Sequence, residues 1–177
     1  MLGEGWEDQY KRLQRQYGLV KRSGDSNGAY NELLHEEACA LDILYHFCLD
    51  ALNLRDWISK AASKPRSNLP SSAEQDVWGL FNANNRQASS ALMACADVAN
   101  GYKHFEVDSP KNPGGAAEVV SQTQGAPFPW RFPIHFGANI FKIDLGGGVQ
   151  RDALDLAADA VDDWNRWLMN HGVALPS

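Results

Sequence analysis

The sequence predicts a mainly α fold, an antiparallel bundle of four to five helices with a small β-hairpin before the last helix. Three observations carry that expectation. Apolar residues recur at helical spacing through long segments on both sides of position 106. A strictly alternating stretch lies between 130 and 145 and ends in a run of glycines. A stretch rich in Gly, Pro and Ser, 106–129, separates the first helices from that alternation.

Trp6, Tyr10, Leu13 and Tyr17 fall at i, i+4, i+7 and i+11, which predicts a first helix from about Trp6 to Tyr17. A polar link follows from Lys21 to Asn27. Asn27 to about Ser63 reads as one long helix, or two in line. Spaced at 100°, Tyr30, Leu33, Leu34, Leu41, Leu44, Tyr45, Cys48, Leu52 and Ile58 gather on one face, which predicts a central position. Lys64 to Pro70, with prolines at 65 and 70, ends this segment.

Ser71 and Glu74 have capping-box spacing and predict the start of the next helix. Trp78 and Phe81 share its face, and Asn82 to Asn85 kinks or interrupts it. Ala88, Leu92, Cys95, Ala96 and Ala99 then continue the face to about His104, with small residues that suit close helix approach. Lys111 to Gly115 reads as an exposed turn.

Trp130, Phe132, Ile134 and Phe136 alternate with Arg131, Pro133 and His135, and Phe141, Ile143 and Leu145 alternate with Lys142 and Asp144. The two stretches predict a hairpin over 130–145, with Pro133 placing its strand at an edge and Gly146 to Gly148 as its exit. The last helix runs from about Arg151 to Asn170, with Leu154, Ala157, Ala158, Val161, Trp164 and Leu168 inward and Gly172 as its stop. No internal repeat occurs. Residues 1–177 therefore read as a single helical domain, with the 106–129 loop and the 130–145 hairpin as insertions.

Composition narrows the function. With 44% hydrophobic and 21% charged residues the chain is an ordinary globular protein. It has no apolar run near the ~20 residues of a membrane span. Met1 to Trp6 lacks the basic and apolar regions of a secretory signal, so a cytoplasmic location is expected. The net charge of −6 argues against bulk counterion-driven nucleic-acid binding but leaves a local basic site open. Cys39, Cys48 and Cys95 form no C-x-x-C pair, and Cys39 and Cys48 fall on opposite faces of the long helix. Buried thiols are expected, with no metal site and no cofactor.

Two charges sit on the apolar stripe of the long helix, Glu37 and Arg55, and each needs a partner. If the turn between antiparallel helices centres near Arg66 or Ser67, Glu37 lies beside the segment Asp97 to His104. Lys103 is in line with Leu92 and Ala99 there, so a Glu37–Lys103 pair is expected, with Asn100 and His104 at the same helix end. Glu37, Arg55, Asp56 and Asp97 form the expected binding or structural polar cluster.

The segment Ala99-Asn100-Gly101-Tyr102-Lys103-His104 resembles the active-site motif of HEPN domains, small helical bundles of prokaryotic toxins and defence RNases. Asn100 and His104 match its spacing, while Ala99 stands where the motif has Arg. The resemblance implies metal-independent RNA cleavage, with His104 as acid or base, and dimers whose two motifs line one cleft. Without the Arg, the leading expectation is a non-catalytic binding or regulatory component of a toxin or phage-defence system, with RNA or a protein as partner. The alternatives are an RNase using His104 with Asn100 and Lys103, and a structural or interaction protein. The combination Leu54-Arg55-Asp56-Trp57 with Asn100-x-x-Lys103-His104 also looks like bacterial proteins of unknown function, and brings no activity with it.

Overall fold

A computed structural model describes residues 5–24, 37–65, 67–104, 107–125 and 138–176. Within these, the side chains of 24, 37–39, 121–125 and 138–140 are not described. The main helices are α1 (Trp6–Gly24), α2 (Glu37–Ala62), α4 (Ser90–Lys103) and α5 (Ala153–Asn170). A single turn, α3 (Ala73–Asp76), runs into a 3-10 turn at Val77–Phe81. The strands are β1 (Glu118–Gly125), β2 (Ala138–Asp144) and β3 (Gln150–Asp152).

The four long helices pack in an antiparallel cycle, α1 on α2, α2 on α4, α4 on α5 and α5 back on α1. Their apolar stripes face one core, in which Leu13, Phe47, Leu54, Ile58, Leu92, Leu156, Trp164 and Leu168 have no solvent exposure. Buried polar atoms tie the helices at defined heights. Gln9 donates from Nε2 to Asp50 Oδ1 at 2.9 Å, Tyr10 Oη donates to Asn165 Oδ1 at 2.8 Å, and Trp164 Nε1 donates to the Ala51 carbonyl at 3.3 Å. No described helix is long and apolar enough to cross a membrane.

The bundle and the sheet before the last helix agree with expectation, and several boundaries differ. Helix α1 continues seven residues past Tyr17, so Lys21 to Gly24 is helical rather than a link. The predicted helical start at 27–36 lies outside the described residues. Ser71 and Glu74 form no capping box. The cap of α3 is Ser72, whose backbone is already helical (φ −62°, ψ −28°) and whose side chain makes no capping bond. The Asn82–Asn85 stretch is a full interruption, and α4 starts afresh where Ser89 Oγ accepts from the Leu92 N–H at 3.0 Å.

The sheet corrects the largest expectation. The strand at 130–136 lies outside the described residues, and the partner of β2 is β1, inside the segment expected to be loop. Val119 pairs with Ile143, and the register shifts between Val119 and Ser121, leaving Val120 exposed. That bulge breaks the two-residue period by which a strand is read. Phe141 and Ile143 are buried while Lys142 and Asp144 are half-buried, as the alternation of β2 predicts. Gly146–Gly148 does end the strand, turning β2 into β3 with φ of +80°, +61° and +79°. Asp152 then caps α5, accepting from the Leu154 N–H at 2.9 Å, and Gly172 (φ +71°) closes the other end.

A Cβ on Gly146 would strike the Gly114 backbone, whereas one on Gly147 meets nothing within 4 Å. Both have positive φ. Gly147→Ala is therefore expected to cost about 1–2 kcal/mol of stability. Gly146→Ala adds a backbone collision and is expected to cost about 3 kcal/mol or more. Urea unfolding of the two variants checks the difference.

Candidate functional site

The expected site residues fall into three separate places. The first is the C-terminal end of α4. Every residue from Ala91 to Ala99 is buried, and the helix leaves the core after that point. Asn100 is half-buried, and Tyr102, Lys103 and His104 are exposed. The Asn100 carbonyl accepts from the His104 backbone N–H at 2.8 Å. Among the described side chains none pairs with Lys103 or holds the His104 ring.

Lys103, expected on the apolar stripe, is exposed instead. The helix register also differs from the one expected. The Tyr45 and Tyr102 rings stack with centroids 4.7 Å apart, so α2 and α4 cross about a midpoint near Ala73 rather than Arg66. At 1.5 Å per residue the Glu37 backbone stands about 12 Å beyond the level of Tyr102. The Glu37 side chain, like Cys39, lies outside those described.

What does gather at this end is aromatic. Tyr102 is 48% exposed and lies on Tyr45, with the His46 ring edge-on at 6.3 Å. Burial pushes the Tyr45 phenol pKa up, with smaller contributions from Cys48, Asp42 and Tyr102. His46 Nδ1 donates to the Asp42 carbonyl at 2.8 Å, which leaves Nε2 as the unprotonated nitrogen of the neutral ring. A groove of about 280 Å³ runs beside the pair, lined by Tyr45, Tyr102, Val107, Ala117 and Val119 among others. The sequence put Tyr45 on the core face and left Tyr102 without a role.

The second place is Asp97. It has no solvent exposure, and its described hydrogen bonds are to backbone N–H groups of the chain itself. Its Oδ1 accepts from the Lys111 N–H at 2.6 Å, and its Oδ2 accepts from the N–H groups of Asn112 at 2.9 Å and Ala117 at 3.4 Å. Burial pushes its pKa up, and the three backbone donors partly offset that. The turn at Lys111–Gly115, expected to be exposed, is therefore held inward. Asn112 is buried, and its Nδ2 donates to the Gly115 carbonyl at 3.2 Å and, in a short contact, to the Leu145 carbonyl.

The third place is Arg55, whose side chain is only 13% exposed. Its Nε donates to Asp56 Oδ1 at 2.8 Å. Its guanidinium carbon lies 4.1 Å from the Trp78 ring centroid and 5.2 Å from that of Phe81. The partner that the sequence demanded for Arg55 is thus a neighbouring carboxylate and two aromatic faces. Asp56 is drawn to Arg55, while Asp97 belongs to the α4 tie, and the Glu37 side chain lies outside those described.

Among the described residues no three His, Cys, Asp or Glu side chains stand close enough to share a metal ion. Cys48 and Cys95 are free and buried. Comparison with family models, with curated proteins and with solved structures finds no match to this chain.

Removing the Asp97 carboxylate would leave two short backbone N–H bonds without an acceptor. Asp97→Ala is expected to cost about 2–4 kcal/mol. The exposed Asp108→Ala is expected to stay within about 0.5 kcal/mol of wild type. Chemical denaturation of both variants measures the contrast.

Proposed function

We propose that the chain is a non-catalytic RNA-binding component, a helical bundle that holds a short single-stranded segment at the C-terminal end of α4. The observation that carries this reading is Tyr102, a half-exposed ring already stacked on Tyr45 and followed directly by Lys103 and His104. Stacking of a base on such a ring contributes about 1–3 kcal/mol, and it needs no sequence-specific contact. Lys103 supplies the charge for a phosphate, and the exposed His104 ring adds hydrogen-bonding nitrogens beside it. With a net charge of −6 the remainder of the surface gives little general attraction, so the contact is short and centred on the stack.

The absence of catalysis rests on two features. Ala99 is fully buried where the HEPN motif has an arginine, so no cation stands at that position to stabilise a phosphorane-like charge. The His104 ring has no described partner to orient it, and a general acid or base must be positioned. The resemblance to HEPN domains points to a regulatory role beside a toxin or phage-defence nuclease, with that nuclease or its RNA as partner.

A labelled single-stranded RNA oligonucleotide tests the reading. Binding is expected to weaken about tenfold in Tyr102→Ala, with the RNA left intact by wild type and by His104→Ala alike. Unchanged binding in Tyr102→Ala would remove the site. Cleavage by wild type that is lost in His104→Ala would replace this reading with that of an RNase.

A further inference from the structure

A second cleft, of about 430 Å³, opens on another part of the bundle and is lined by Arg55, Trp78, Phe81, Asn82, Asn84 and Lys111 among others. Arg55 lies about 15 Å along α2 from Tyr45, at 1.5 Å per residue. The cleft is therefore separate from the Tyr102 stack.

Its lining includes several donors that no described acceptor engages. Arg55 commits Nε to Asp56, and its rings of contact with Trp78 and Phe81 hold the guanidinium plane. Its two Nη groups meet no acceptor among the described residues, although the side chain is largely buried. Asn82 uses its side-chain oxygen to accept from the Asn84 N–H at 3.1 Å, which leaves its amide N–H groups as donors. Lys111 brings a second positive charge. Its backbone is held by Asp97 at 2.6 Å, so that wall of the cleft is set before any ligand arrives.

We propose that this cleft binds a small ligand carrying an oxyanion, a carboxylate or a phosphate. An oxyanion offers only acceptors, and a planar guanidinium edge takes one with two parallel hydrogen bonds. The volume lies within the usual range for small-molecule sites and is too small for a folded partner. Trp78, 46% exposed at the rim, supplies apolar surface for the body of the ligand. Asp56 pairs with Arg55 and the Asp97 carboxylate lies near Lys111, so recognition rests on the uncommitted Nη donors of the guanidinium rather than on net charge.

Phenyl phosphate, inorganic phosphate and benzoate, titrated at constant ionic strength against sodium chloride, test this by calorimetry and tryptophan fluorescence. At least one oxyanion probe is expected to bind saturably where chloride does not, and the ranking of the probes separates phosphate from carboxylate recognition. Arg55→Lys keeps the charge but loses the paired donors, and is expected to weaken that binding about tenfold. Lys111→Ala, at a half-buried loop position, is expected to weaken it severalfold, and it decides the matter if Arg55→Lys does not fold. Absence of saturable binding by every probe overturns the proposal. Wild-type affinity in the folded variants overturns it too.

Discussion

The structure depends on one buried carboxylate. Asp97 is the single charged side chain in the buried run Ala91–Ala99, on the face where α4 packs against its neighbours. Removing a carboxylate from water is costly, and the cost is offset only by strong hydrogen bonds. Backbone N–H groups of Lys111, Asn112 and Ala117 provide them. Those same N–H groups belong to a loop of few apolar residues that would otherwise have no reason to fold inward. The tie continues through the Asn112 side chain to the Leu145 carbonyl, and through the close approach of Gly114 to Gly146. One carboxylate thus fastens a helix, a loop and the β2–β3 turn together.

Both candidate sites inherit their shape from this tie. Ala117 and Val119, at the start of β1, form one wall of the groove beside Tyr102. Lys111, at the other end of the same loop, forms one wall of the Arg55 cleft. The aromatic stack and the guanidinium cleft therefore share a structural support without sharing residues. A bundle of four helices alone would leave both places as shallow surface.

Much of the fold was legible because its helices are amphipathic over several turns. Trp6, Tyr10 and Leu13 mark α1, and Ala157, Val161, Trp164 and Leu168 mark α5, although Leu156 rather than Leu154 is the fully buried leucine of its first turn. What was hidden depends on contacts distant in the chain. β1 reads as loop because Ser, Gln and Thr dilute its valines and the bulge at Val120 shifts the period. The Lys111–Gly115 turn has exposed-turn chemistry, and only the opposing Asp97 turns it inward. The site residues divide in the same way. That Arg55 needed a partner was clear from its place on an apolar stripe, but Trp78 and Phe81 reach it from a short turn after the prolines. Lys103 lies on the stripe that is buried earlier in α4, yet the helix has already left the core there. Its expected pairing also assumed a tight turn, whereas the α3 and 3-10 segment moves the crossing of α2 and α4 along by several residues.

Amide hydrogen exchange at Lys111 and Asn112 tests the Asp97 tie most directly. If the carboxylate organises the fold, these two loop amides exchange only through large-scale opening, with protection comparable to that of core amides in α4. Exchange of both at rates close to those of an unstructured peptide, while the α4 amides stay protected, would contradict it.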